Sequence, residues 1–323
     1  MSSDESPSPK RQRTEDAPIT RSEIWKRDGS VVLQAANTQF RVHWSVLEEN
    51  SSVFRGMQGL PQPVAQDSVD GCPVVEISDD PVDVEYLLEA LYNPSHISLP
   101  ESPPFPGWRK YDFKDLFDSA VARLTSRYPT TLQAFDAVVL QPTTDTLEYY
   151  GALDFDIVTL ASENNILSVL PCAYYRLLNQ FNLYTSVTDY SRQSSLFDGV
   201  QKEDGTITHL SGLDLRRCVV AREKLLTTQF QPGYTFGWAR QWVFNDCEDA
   251  SRCRALREDI QRMHLDGAHI RVLARSSHFL SHPRCFPCTR HMTESIDRGR
   301  KKTWDELPKF FDLPPWGELK NNI

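Results

Sequence analysis

The stretch from Asp28 to Met57 changes its hydrophobic period once, and that change constrains the fold more than any other feature of the chain. Val31, Val32 and Leu33 open an apolar strand. Phe40 and Val42 then alternate with Gln39, Arg41 and His43, the period of two that a half-buried strand requires. Between them, Ala36-Asn37-Thr38 is short enough for a hairpin and holds an Asn, which tolerates left-handed turn geometry. From Trp44 the period lengthens, with Trp44, Leu47, Val53, Phe54 and Met57 at helical spacing. A hairpin running directly into two short helices predicts an α+β module.

The rest of the chain adds helices. The run Pro73-Val74-Val75-Glu76-Ile77 predicts a strand, and Ser78-Asp79-Asp80-Pro81 has the polar cap and early proline of a helix start. Val84, Leu87, Leu88, Leu91 and Tyr92 give that helix one apolar face, which ends at Asn93-Pro94. After a proline-rich segment, Trp108 to Arg127 repeats the helical pattern through Tyr111, Leu116, Phe117, Ala120, Val121 and Leu124. Helices are also expected over Leu132–Val138, Asp154–Asn165, Leu167–Phe181 and Leu213–Phe230, the last with Leu213, Val220, Leu225 and Leu226 as its core face. Thr206-Ile207-Thr208 reads as a short strand, and the aromatics from Trp304 to Trp316 as a strap folding back on the helical body. The expected division is a disordered tail over 1–22, an α+β domain over 23–129, and a mostly α-helical region over 130–323.

At 323 residues and 40% hydrophobic content, the chain has ample material for about two domains. A net charge of −9 makes it a poor general binder of nucleic-acid backbone. No apolar run approaches the ~20 residues of a membrane helix, and the Ser- and Pro-rich N-terminus lacks a signal-peptide core. Seven cysteines, an odd number, point to a reducing compartment. The basic run Lys10-Arg11-Gln12-Arg13 has the composition of a nuclear import signal, so nucleus or cytoplasm is the expected location.

The ordered set hairpin, Val42-His43-x-x-x-Leu47, Ser51-x-Val53-Phe54-Arg55-x-Met57, strand, acidic cap, Leu87-Leu88-x-Ala90-Leu91-Tyr92 and Arg109-Lys110-Tyr111-x-Phe113-x-x-Leu116 resembles a BTB/POZ domain. It is most similar to those abundant in mushroom-forming fungi. The resemblance spans about Ile24 to Tyr128, also takes in Asp28, Phe40 and Ser52, and implies a protein-interaction module that dimerises or recruits a partner. On it, the self-association surface is expected at Val31, Val32, Leu33, Val46, Leu47, Asn50, Val53, Phe54 and Met57, with an unpaired strand edge as its centre. Leu47→Asp is then expected to abolish self-association. His43 is expected to be structural, at the strand-to-helix corner. Two departures stand out. The helix that ordinarily precedes the Lys-Tyr pair is reduced to Phe105–Arg109, and the loop Gln58–Cys72 has no Glu for the apolar-x-Glu motif of domains that bind cullin-3. A scaffold without catalysis is therefore expected, with a cullin-3 ubiquitin-ligase adaptor and a nuclear chromatin or transcription regulator as alternatives.

One constellation carries chemistry. Cys285 and Cys288 form a C-x-x-C, and Cys247 and Cys253 a looser second pair. Two local thiolate pairs closing a tetrahedron are the donor set of a structural zinc, with His291 as a substitute ligand. A thioredoxin-like redox pair would need a strand before the C-x-x-C and a helix built on its first cysteine, and Ser281-His282-Pro283-Arg284 does not supply that strand. Cys72, Cys172 and Cys218 stand in apolar surroundings, as small core residues do. Nucleophile elbows, phosphate-binding glycine loops and metalloprotease helices have no match, so no catalytic or organic-cofactor residues are expected. Arginines interleaved with Phe279, Phe286 and Trp304 outline a nucleic-acid surface, but nearby acids such as Glu248, Asp249, Glu258 and Asp259 balance them.

Overall fold

The computed structural model describes residues 18–57, 67–93, 110–140, 151–180, 195–202, 205–240, 245–264, 269–279 and 285–321. The fold is mixed α/β. Among the described residues it divides into two compact units. The first takes everything up to residue 93 together with 110–116, and the second everything from Phe117 on.

In the first unit, β1 (Thr20–Trp25), β2 (Val31–Ala35), β3 (Thr38–Val42), β4 (Ser68–Val69) and β5 (Cys72–Ile77) form one sheet in the order β1-β3-β2-β5-β4. The expected hairpin is β2 and β3, antiparallel with Val31 opposite Val42 and Leu33 opposite Phe40. Its turn is tighter than expected, and the left-handed residue is Ala36 at φ 46°, not the adjacent Asn37. β5 lies parallel to β2, with Val32 beside Val74 and Ala35 beside Ile77. Strand β1, parallel to β3, falls partly in the segment expected to be a tail. Its sequence, Thr-Arg-Ser-Glu-Ile-Trp, has no apolar alternation, so the strand owes its formation to the partner edge.

The chain then turns into α1 (Trp44–Asn50) and α2 (Ser52–Met57), as the change of period predicts. His43 holds the corner. Its backbone N–H donates to Tyr92 Oη at 3.0 Å, its Nδ1 lies 2.9 Å from the same oxygen, and its Nε2 is 3.1 Å from Asp28 Oδ1. Helix α3 (Pro81–Tyr92) starts where the sequence predicts, with the Asp80 side chain accepting from Val82 N–H at 2.9 Å and Pro81 in the first turn. Lys110 pairs with Asp79 at 2.8 Å. Tyr111 and Phe113 then bury themselves on Phe54, with ring centroids 5.0 and 6.0 Å away. The abbreviated helix at 105–109 and the loop residues 58–66 lie outside the described residues, as does the basic run at 10–13.

Helix α4 (Lys114–Arg127) carries the division between units. The second unit continues with α5 (Leu132–Leu140), α6 (Leu153–Glu163), α7 (Leu170–Gln180), a short hairpin of β6 (Val200–Gln201) and β7 (Ile207–Thr208), α8 (Gly212–Thr228), α9 (Ala250–His264), α10 (Phe286–Asp305) and α11 (Leu307–Phe310). Helices α6 and α7 are buried almost throughout. Their acids are paired, as burial demands. Asp154 accepts from Tyr128 Oη at 2.6 Å, and Asp156 meets Lys202 at 2.9 Å. The core face of α8 is Asp214, Cys218, Ala221 and Leu225, so the expected core residues Leu213 and Val220 are exposed and Leu226 is half-buried. Asp214 holds that face inward by accepting from Ser162, Ser211 and Tyr174. The C-terminal aromatics do fold back. Trp316 stacks on Trp304 at 5.4 Å and donates to its carbonyl at 2.7 Å, Phe311 packs on Tyr174, and Asn321 bridges to Ile166.

Candidate metal centre

Four cysteines meet at the starts of two helices of the second unit. Cys247 lies in the turn before α9, and Cys253 lies in the first turn of α9, its N–H donating to the Asp249 carbonyl. Cys285 is the N-cap of α10, and Cys288 sits one turn in. The C-x-x-C is thus a cap residue and a first-turn residue, a spacing that puts both thiols at one helix end. All four sulfurs lie within 4.8 Å of one another. Cys253 Sγ is 3.6 Å and Cys247 Sγ 3.9 Å from Cys285 Sγ. A tetrahedron with metal–sulfur bonds of about 2.3 Å has edges of about 3.8 Å. The donor set therefore has the size of a four-thiolate metal site, and the group could hold a metal ion.

The electrostatics suit thiolates at one position and resist them at two. Burial pushes Cys285 up, but the backbone N–H groups of Cys288 and Glu248 and the neighbouring thiols outweigh it and bring its pKa down to about 7. Burial raises Cys253 and Cys288 above the ordinary thiol range. A bound cation reverses that preference, since a coordinating thiol is deprotonated outright. Buried Arg257 interacts with Cys288, Cys247 and Cys253, which support its charge against desolvation. It stands four residues after Cys253 and so on the same helix face, a spacing from which the sequence alone could have drawn it into the site.

His291, considered as a substitute ligand, turns to Asp246 instead, with Nε2 2.9 Å from Oδ1. Arg290 meets the same carboxylate at 3.1 Å. Together they fix the residue next to Cys247. The redox alternative has its helix on Cys285, and the residues before it, 281–284, lie outside the described residues. Cys72, Cys172 and Cys218 are buried and free, as expected. Several basic residues of the C-terminal third are committed to acids: Arg275 and Arg300 to Asp136, and Arg262 to Asp259.

The expected interaction surface separates into two groups. Val31, Val32, Leu33, Leu47 and Phe54 are buried core. Strand β2 is paired on both sides, so it has no free edge to offer. Val46, Asn50 and Met57 are half-buried and Val53 is exposed, and these four remain accessible.

No protein-family model, curated protein or solved structure matches the chain. Among the described residues no helix is long and apolar enough to cross a membrane.

Proposed function

We propose that the chain is a non-catalytic protein-interaction scaffold, in which a BTB/POZ-like module precedes a helical unit stapled by one structural zinc ion. The observation that carries the reading is the order of elements in the first unit. Hairpin, two short helices, strand, capped helix and the Lys110-Tyr111 segment, with Tyr111 buried, follow one another as in the motif set that resembles the family. Self-association through the accessible face of α1 and α2 goes with this reading, centred on Val46, Val53 and Met57. Sedimentation at micromolar concentration tests it: a dimer is expected, and Val53→Glu should return it to monomer. A monomeric parent protein sinks the self-association claim.

Four thiolates closing a tetrahedron suit zinc, and such a site leaves no position open for water. Its work is to join the starts of α9 and α10, so metal binding contributes folding free energy. Elemental analysis of the purified protein should find about one zinc per chain, lost in Cys285→Ser together with Cys288→Ser. A strong chelator should lower the thermal midpoint of the parent and leave that of the variant unmoved. A metal-free preparation that melts at the same temperature with and without added zinc overturns the staple.

A further inference from the structure

A second site lies in the helical unit, away from the cysteines. A cleft of about 590 Å³ opens between α5, α7 and the segment Ile270–Ala274, with Phe135, Val138, Val139, Ile270 and Leu273 among its walls. That volume is in the range of small-molecule sites, and mostly apolar walls with a few convergent polar groups are their usual make-up.

Beside the neutral polar groups of Tyr175, Asn179, Gln180 and His278, the charged groups here are three arginines and one acid: Arg127, Arg176, Arg271 and Asp154. Asp154 is already engaged. It accepts from Tyr128 Oη at 2.6 Å and pairs with Arg176 at 3.5 Å. Arg176 in turn lies over the Tyr128 ring at 4.8 Å. That leaves Arg127 and Arg271. Both are half-buried, and among the described residues no carboxylate pairs with either. Buried Arg127 Nε also has no hydrogen-bond partner. A guanidinium held in partial burial beside apolar walls, without a counter-ion, is a costly arrangement that an incoming anion relieves. Arg271 lines the cleft and is anchored there, since its backbone N–H donates to Gln229 Oε1 at 3.1 Å.

The geometry points to a binding site for a small organic anion: an apolar body seated against Phe135, Val138 and Ile270, with its acidic group between Arg127 and Arg271. Carboxylate, sulfonate and phosphate heads share that chemistry. The site is independent of the zinc staple and of self-association.

Fluorescence titration of the full-length protein with anilinonaphthalene sulfonate tests it, with dodecanoate as competitor and neutral N-phenylnaphthylamine as the matched uncharged probe. Saturable binding at one site per chain is expected, displaced by dodecanoate and tighter than for the neutral probe. Arg127→Gln and Arg271→Gln should each weaken the sulfonate at least tenfold while leaving the neutral probe unchanged. If Arg127→Gln does not fold, by circular dichroism, Arg271→Gln decides alone. Equal affinity for charged and neutral probes, or sulfonate binding indifferent to Arg271, overturns the site.

Discussion

Leu47 shows how one residue changes meaning once its surroundings are known. At helical spacing after a hairpin, it reads from the sequence as a natural interface residue. It is in fact 1% exposed. A carboxylate placed there would be desolvated with no partner, and unpaired buried charges are among the few causes of very large destabilisation. Leu47→Asp is therefore expected to unfold the first unit, or to cost it at least about 3 kcal/mol, in urea denaturation followed by circular dichroism. Val53→Glu, at an exposed position six residues on, should keep the unit folded, losing only the stability that self-association adds. A stable Leu47→Asp protein would mean that the side chain reaches solvent. The same distinction governs the candidate metal centre. The C-x-x-C announces itself by spacing, because both ligands belong to one helix end. Its meeting with Cys247 and Cys253 depends on the fold of the intervening chain, which no local pattern encodes.

At the scale of elements, what was legible is what is local. The start of α3 follows from Asp80 and Pro81, the hairpin from alternation, and the pair α1–α2 from the change of period. Strand β1 and the parallel placement of β5 on β2 rest on pairing between distant segments, and parallel pairing leaves no turn signal in the sequence. Helix α8 misled for another reason. Its buried face includes Asp214 and Cys218, so ranking positions by hydrophobicity alone turns the helix the wrong way. Close approach between elements is equally silent until coordinates exist. Gly299 in α10 meets the Tyr234-Thr235 backbone, where an added Cβ would clash with Thr235 N and Tyr234 C. Backbone atoms cannot rotate away. That segment is further fixed by Tyr234 Oη donating to Glu306 at 2.6 Å and by Lys302 over the Tyr234 ring. Gly299→Ala should cost about 2 kcal/mol or more despite the better helix propensity of alanine. Gly56→Ala, in α2 with nothing within 4 Å of the new atom, should be neutral or gain up to about 1 kcal/mol. Equal denaturation midpoints for the two variants would contradict the contact at Gly299.

For the molecule as a whole, the second unit has a stability that should fail on the alkaline side. Its core holds several weak acids in their neutral form. Burial pushes the Cys172 thiol up to about 12 from an ordinary 9.0, and burial likewise raises Cys218, Tyr128, Tyr174 and Tyr175. Each is an acid whose folded pKa exceeds its unfolded value. The unfolded chain therefore loses these protons first as pH rises, and deprotonation draws the equilibrium toward it. Their contribution is complete below about pH 9, the unfolded thiol value. It falls by up to about 1.4 kcal/mol per group per pH unit as the thiols, and then from about pH 10 the tyrosines, titrate in the unfolded state. Urea midpoints measured under reducing conditions should be level from pH 7 to 8 and drop progressively from 9 to 10.5. Cys172→Ala together with Cys218→Ala starts from lower stability, because two core side chains are shortened, but its midpoint should hold level to a higher pH before the tyrosines take over. The test lies in the slope between pH 9 and 10. If the parent and the double variant lose stability there at the same rate, the buried thiols are not what sets the alkaline limit.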